Sequence, residues 1–141
     1  MSLNPVEALN IWANYSWQEG IIEQPGVDAG DTLGKEIDHI PSFVISGGID
    51  YQFTSELSGS IWAYAQDDYF LEKTNSSEKF GDFFSIDLSL HNQVTKEVGL
   101  DFQVKNLTDE FKEYAWTCCD RTFHSPGDER AFYGAVNIEF D

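Results

Sequence analysis

Few side chains in this sequence are spaced to do chemistry, and they fall into a small number of groups. Cys118, Cys119, Asp120 and His124 place two thiols, a carboxylate and an imidazole in one short stretch. Thiolates and imidazole are the ligands that soft metals such as zinc and copper prefer. A closed zinc site needs donors set two or more residues apart so that they converge, and adjacent thiols do not meet that need. The stretch therefore reads as an ordinary loop with no metal. In an oxidising setting its thiols are better suited to disulfides between molecules than to one with each other, which would be strained. Asp28, Asp31, Glu36 and Asp38, and again Asp67 and Asp68, offer the hard oxygens that calcium takes, but in no recognised calcium-loop spacing. They read as solvated acidic loops. His39 and His91 stand alone and read as structural. No Ser/His/Asp arrangement, phosphate-cradling glycine loop or acid/base carboxylate pair is present, so the sequence points to no catalytic residue, no cofactor and no enzyme.

The elements that carry these residues are constrained by composition. The 141 residues are enough for one domain, and the chain reads as a single segment over residues 1–141. Its 25 acidic against 8 basic residues give a formal charge of −17, which argues against a nucleic-acid partner because little could replace the counterions on phosphate. No apolar run approaches the ~20 residues of a membrane helix. The opening Met1-Ser2-Leu3-Asn4-Pro5 lacks the basic-then-apolar pattern of a signal peptide. Membrane-spanning strands escape both tests, since they alternate and leave a weak hydropathy signal. Aromatics at 15% and only 4 prolines lean the chain towards β structure.

Alternation of period two predicts six strands. The first covers Leu9 to Trp17, with Leu9, Ile11, Ala13, Tyr15 and Trp17 on one side. After Pro41, Phe43, Ile45, Gly47, Ile49, Tyr51 and Phe53 define the second; Leu57, Gly59, Ile61, Ala63 and Ala65 define the third. Phe84, Ile86, Leu88 and Leu90 mark the fourth, and Val98, Leu100, Phe102 and Val104 the fifth. The last runs from Arg130, with Phe132, Gly134, Val136, Ile138 and Phe140 on one face, ahead of Asp141. Trp62 and Tyr64 are large rings on the otherwise polar side of the third strand.

Between the strands, Gln18 to Ile40, Asp67 to Lys79 and Asn106 to Glu129 are long, turn-rich connections, while Thr54-Ser55-Glu56 and Thr95-Lys96-Glu97 are tight polar turns. Long and short alternate, which puts all the long connections on one edge of an up-and-down sheet. Aromatics gather near strand ends at Tyr15 and Trp17, Tyr51 and Phe53, Tyr69 and Phe70, Phe83 and Phe84, Phe132 and Tyr133, and Phe140. Long loops on one side, short turns on the other and two aromatic girdles describe the wall of an outer-membrane barrel. The competing reading is a free-standing soluble β-sandwich or lipocalin-like module that packs the same apolar face around an apolar ligand.

Several short motifs, taken in order, resemble the C-terminal end of TonB-dependent outer-membrane receptors. Ile40-Pro41 opens a strand closing on Asp50-Tyr51-Gln52-Phe53, similar to that family's proline-led strand. Val104-Lys105-Asn106-Leu107-Thr108-Asp109 resembles its penultimate strand and Asn-Leu-x-Asp turn, and Pro126-Gly127-Asp128-Glu129-Arg130 its Pro-Gly-x-x-Arg lead into the last strand. Phe140, with Phe132, Val136 and Ile138 on the same face, resembles the terminal signal read by the barrel-assembly machinery. Asp141 after the aromatic and the paired cysteines depart from the pattern.

The resemblance implies an all-β antiparallel meander of about six strands, part of a large transmembrane barrel of about 22 strands. It implies a parent protein in the outer membrane of a Gram-negative bacterium, importing a scarce ligand such as a ferric siderophore, haem, cobalamin or a glycan. Expected partners are the rest of the barrel and its plug, outer-membrane lipid, the assembly machinery, and TonB through an N-terminal plug that this segment does not include. Trp62 and Tyr64 would face the lumen, against neighbouring rings or a ligand. Six strands fall short of the ~8 that close the smallest membrane barrel, so the isolated segment is expected to self-associate through its open edges.

Overall fold

A computed structural model describes residues 1–27, 30–119 and 121–140. Asp28, Asp120 and Asp141, named above, lie outside the described residues. Alternating side chains and the near absence of helix-forming periodicity give strands throughout: β1 (Ser2–Val6), β2 (Leu9–Trp17), β3 (Phe43–Gln52), β4 (Leu57–Gln66), β5 (Phe83–Gln93), β6 (Val98–Lys105), β7 (Glu113–Cys118), β8 (Arg121–Pro126) and β9 (Ala131–Ile138). Seven of them form one antiparallel sheet in the order β1-β2-β3-β4-β5-β6-β9, and β7 and β8 form a separate hairpin.

The all-β antiparallel meander is thus present, with more strands than alternation alone predicts. β1 is short, carries Pro5 and shows no clean alternation, yet it pairs with β2 as Ser2↔Trp12 and Leu3↔Ile11. The hairpin interrupts the third long connection, where the sequence predicts only loop. The last strand ends at Ile138, so Phe140 lies just beyond it, although Glu139 N still donates to Glu97 O at 2.9 Å.

In antiparallel pairs, directly opposed residues share a face. The register aligns Ile11↔Ile49, Ile49↔Ile61, Ile61↔Leu88, Leu88↔Val104 and Val104↔Phe132, so one apolar face runs unbroken across β2, β3, β4, β5, β6 and β9. Among the described residues no other strand packs on it, although Val104 within it is buried by its neighbours. Among the described residues the buried apolar side chains are Leu71, Val104 and Ala115, while Ile49, Ile61, Phe102 and Val136 all stay exposed on the face. A soluble sandwich would close a second sheet over this surface, and β7–β8 makes no such layer, standing clear of the other strands. β3, β4 and β5 are 10, 10 and 11 residues long, which suits the ~9–11 residues that cross a bilayer at a tilt.

The short connections share one edge of the sheet and the long ones the other. Two of the short turns repeat the same chemistry. In Gln52-Phe53-Thr54-Ser55-Glu56-Leu57 and Gln93-Val94-Thr95-Lys96-Glu97-Val98 the threonine hydroxyl accepts from the backbone amides of the glutamate and the next residue at 3.1–3.2 Å. It also donates to that glutamate's carboxylate, and the glutamine amide donates to the threonine carbonyl. Each turn satisfies its own polar groups, as a water-facing hairpin end must.

Candidate functional site

The face opposite the apolar one is polar and internally bonded. Ser2 Oγ donates to Asn10 Oδ1, and Asn10 Nδ2 to Asp50 Oδ2 at 2.7 Å, tying β1, β2 and β3 together. His91 Nδ1 meets Asp101 at 2.7 Å, and Asn137 Nδ2 donates to the same carboxylate. At the centre lie Trp12 and Trp62, on either side of Gly48 in the register Trp12↔Gly48↔Trp62. A Cβ on Gly48 would fall 2.8 Å from the Trp12 ring and 2.8 Å from Trp62 Cβ, so the absence of a side chain is what lets the Trp12 ring lie over the strand. Lys105 Nζ sits 5.0 Å over the Trp62 ring and donates to Asp87 Oδ2 at 2.7 Å. Such a cation over an indole is attracted by the ring quadrupole.

Trp62 and Tyr64 both occupy the polar face, as the sequence predicts. Tyr64 stacks on Phe83 with centroids 5.3 Å apart and bonds Gln66 Oε1. Both rings are thus engaged with neighbours of the same sheet. Phe83 and Tyr133 also turn to this side, and Tyr69 and Phe70 belong to the second long connection, so these four leave the apolar girdles. The girdles that remain are Tyr15, Trp17, Phe84 and Phe132 at the long-loop edge, and Tyr51, Phe53 and Phe140 at the short-turn edge, all exposed.

Two of the family-like motifs, Asn106-Leu107-Thr108-Asp109 and Pro126-Gly127-Asp128-Glu129-Arg130, converge at the base of the third connection, whereas Pro41 stands apart at the first. Asn106 is 1% exposed and adopts φ 50°, a left-handed conformation that asparagine tolerates better than most residues. Its backbone N donates to Asp87 Oδ1 at 2.8 Å; its Nδ2 donates to the carbonyls of Glu110 and Asp128; its Oδ1 accepts from Glu110 N and Thr108 Oγ1. Asp109, also left-handed at φ 56°, accepts from Arg130 Nη2 at 2.9 Å. Leu107 N donates to Ile86 O at 2.7 Å, and Gly127 N to Lys112 O at 2.7 Å. Pro126 ends β8 opposite Glu113, and Pro41 contributes a carbonyl to Gln18 Nε2 at 3.2 Å. A concavity of about 480 Å³ opens beside this knot between Asp87, Lys105, Lys112 and Arg130. Two of its cations are matched by Asp87 and Asp109, and Lys112 lies 5.0 Å over Phe83, which leaves no concentrated positive field.

The long connections also lock to one another. Asn75 Oδ1 accepts from Glu36 N at 2.6 Å while its Nδ2 donates back to Glu36 O, and Lys79 Nζ reaches Glu36 at 3.0 Å and Asp68 at 3.9 Å. The hydrogen bond that Lys79 donates to Glu36 raises its ammonium above the ordinary range, and burial pushes Asp68 up. Glu72 feels burial too, but hydroxyl and amide bonds from Ser77 and Ser76 prevail and lower it. Three of the acidic candidates are engaged within the loops: Glu36 and Asp68 hold Lys79, and Asp38 meets His39 Nδ1 at 2.9 Å. Of the stretch weighed above as a soft-metal site and read as a loop, the described donors do not converge. His124 pairs across the hairpin with Ala115, bonds Glu113 at 2.9 Å and packs edge-on to Phe80, while Cys118 lies three rungs away opposite Arg121. Among the described residues no three His, Cys, Asp or Glu side chains gather to hold a metal.

No protein-family model matches the chain, and no curated protein matches it by sequence. Solved structures do. The ferric citrate transporter FecA superposes with a TM-score of 0.79 at 19% identity, over 94% of this chain and 21% of that one. The sheet has the fold of part of a TonB-dependent receptor barrel. The ferric yersiniabactin uptake receptor FyuA from Yersinia pestis gives a TM-score of 0.81 at 14% identity, over 99% of this chain and 22% of that chain. The siderophore receptor PiuA from Acinetobacter baumannii gives 0.76 at 18% identity, over 97% and 20%. This chain thus spans about a fifth of the length of these receptors. They are receptors and transporters, none of them an enzyme. The two tight turns fall where the sequence predicts them, but their shared bonding and the β7–β8 hairpin are not anticipated from it. The first is visible as a spaced Gln-x-Thr-x-Glu, and the second shows only the short alternation of Tyr114 and Trp116 about Ala115.

Proposed function

We propose that residues 1–141 form the C-terminal wall segment of an outer-membrane receptor barrel whose parent takes up a scarce ligand, a ferric siderophore, haem, cobalamin or a glycan, with energy delivered through TonB. The observation that carries this reading is the uncovered apolar face across the sheet, backed by a polar face and bordered by long loops on one edge only. Lipid covers the first face, and the plug and the lumen meet the second. The three long connections, Gln18 to Ile40, Asp67 to Lys79 and Asn106 to Glu129, stand on the outer side, where ligand arrives first. Phe132, Val136, Ile138 and Phe140 serve as the assembly signal, Asn106, Leu107, Asp109, Pro126, Gly127 and Arg130 fix the connection that leads into it, and Pro41 precedes β3. The parent resides in the outer membrane of a Gram-negative cell.

Tryptophan placement tests the assignment of faces. Trp17 lies on the apolar face and Trp62 on the polar one, so a bilayer of brominated-chain lipid should quench a variant keeping only Trp17 and spare one keeping only Trp62. Equal quenching of both would overturn the reading. Two unpaired edges, β1 and β9, expect neighbouring strands, and the isolated chain should associate through them. Light scattering that finds a monomer in detergent-free buffer would count against this.

A further inference from the structure

The tip of the β7–β8 hairpin brings the two cysteines of the chain into contact. Cys118 ends β7, Cys119 follows at φ 55°, both are exposed, and their Sγ atoms lie 2.9 Å apart. Neighbours along a trans chain keep their Cα atoms about 3.8 Å apart. A relaxed disulfide spans roughly 4.4–6.8 Å between Cα atoms, so direct closure of this pair is strained and easily reduced. The thiols remain two free donors in contact, set at one point.

Inserting one atom between the sulfurs relieves that strain by enlarging the ring. The shape of the inserted centre is selected by the geometry. A linear two-coordinate ion holds its sulfurs on opposite sides, which adjacent residues cannot supply. A tetrahedral ion needs further donors, and His124 is held away by Glu113 and Phe80. A pyramidal three-coordinate centre accepts two sulfurs side by side and brings its own third group.

We propose that Cys118 and Cys119 form a chelating dithiol for trivalent arsenicals. With an organic arsenoxide, two As–S bonds form and two S–H bonds break, and the arsenoxide oxygen leaves with both protons as one water. Arsenic stays trivalent and no electrons are exchanged. Donating its proton towards Cys119 pushes the Cys118 thiol up, which keeps on sulfur the proton that the departing water takes. The third group on arsenic would sit beside Trp116, which shares a face of β7 with Cys118 and stacks on Phe123 with centroids 5.7 Å apart.

Phenylarsine oxide is the probe. The chain in detergent should gain one phenylarsenic group with loss of one water by intact-mass spectrometry. The adduct should survive excess monothiol and be stripped by a small dithiol. Cys118→Ser and Cys119→Ser should each lose the second, intramolecular bond and with it about a hundredfold or more of apparent affinity. Tryptophan emission should fall on binding, and Trp116→Phe should abolish that change while keeping the adduct. Single-serine variants that hold arsenic as firmly as the parent would overturn the proposal. So would unchanged Trp116 emission, or a chain that emerges as an internal disulfide and reacts only after strong reduction.

Discussion

The two faces of the seven-stranded sheet share every backbone hydrogen bond yet are finished to different degrees. On the polar side Trp12 and Trp62 close over Gly48, Lys105 bridges Trp62 to Asp87, and Asp101 gathers His91 and Asn137. On the apolar side Ile11, Ile49, Ile61 and Phe102 remain exposed with no layer above them. Side chains of this kind are worth roughly 1.5–3 kcal/mol each when fully removed from water, and the sheet gathers little of that by itself. One face is complete within the chain; the other requires a surrounding medium.

The largest test of that contrast is a charge at the middle of the incomplete face. Ile61→Lys should cost about 2–4 kcal/mol in a bilayer, as basic residues do at the midplane of a barrel wall. Ser60→Lys, one residue away on the polar face, should cost far less. Urea titration of both variants in lipid checks this, and equal costs would remove the distinction between the faces. Next in size, Gly48→Leu should destabilise by about 1–3 kcal/mol through overpacking against Trp12 and Trp62, whereas Gly134→Leu, whose added Cβ meets no atom nearer than 4.0 Å, should be close to neutral in lipid. Lys105→Met keeps the stem over Trp62 and deletes the pair with Asp87. The lysine side chain is 41% exposed, so the loss should be about 1 kcal/mol or less.

The smallest effect is a pH response confined to the long-loop edge. The Glu72 carboxyl is lowered from 4.5, so its contribution is present above that value and is lost as acid carries pH down through the shifted one. The Lys79 ammonium is raised from 10.5, so its contribution is present below that value and is lost as pH rises through the shifted one. Amide exchange corrected for intrinsic rates should therefore show the second connection loosening at both extremes, with the strands of the sheet unchanged. Loosening of strands and loop together would show that the edge is not independent.

Alternation made the strands legible where one face differs from the other: Leu9–Trp17, Leu57–Gln66 and Val98–Lys105 have the predicted bounds. It fails where the run is too short to stand out: on β7 Tyr114 and Trp116 alternate with buried Ala115 over only six residues, and β8 carries the single ring of Phe123. β1 is hidden by Pro5 and by its small size. The motif residues Asn106, Asp109 and Arg130 were recognisable as letters, but their convergence was not. Arg130 reaches Asp109 across 21 residues and Asn75 reaches Glu36 across 39, distances that only the folded loops can close.

That Leu71, Val104 and Ala115 make up the buried apolar residues among those described carries a thermodynamic signature. A globule melts by wetting its interior, which gives unfolding its large heat capacity change. A wall one sheet thick has no interior to wet, so separating its strands within lipid should absorb heat with little temperature dependence, and calorimetry would see a nearly straight enthalpy line where a globule shows a steep one.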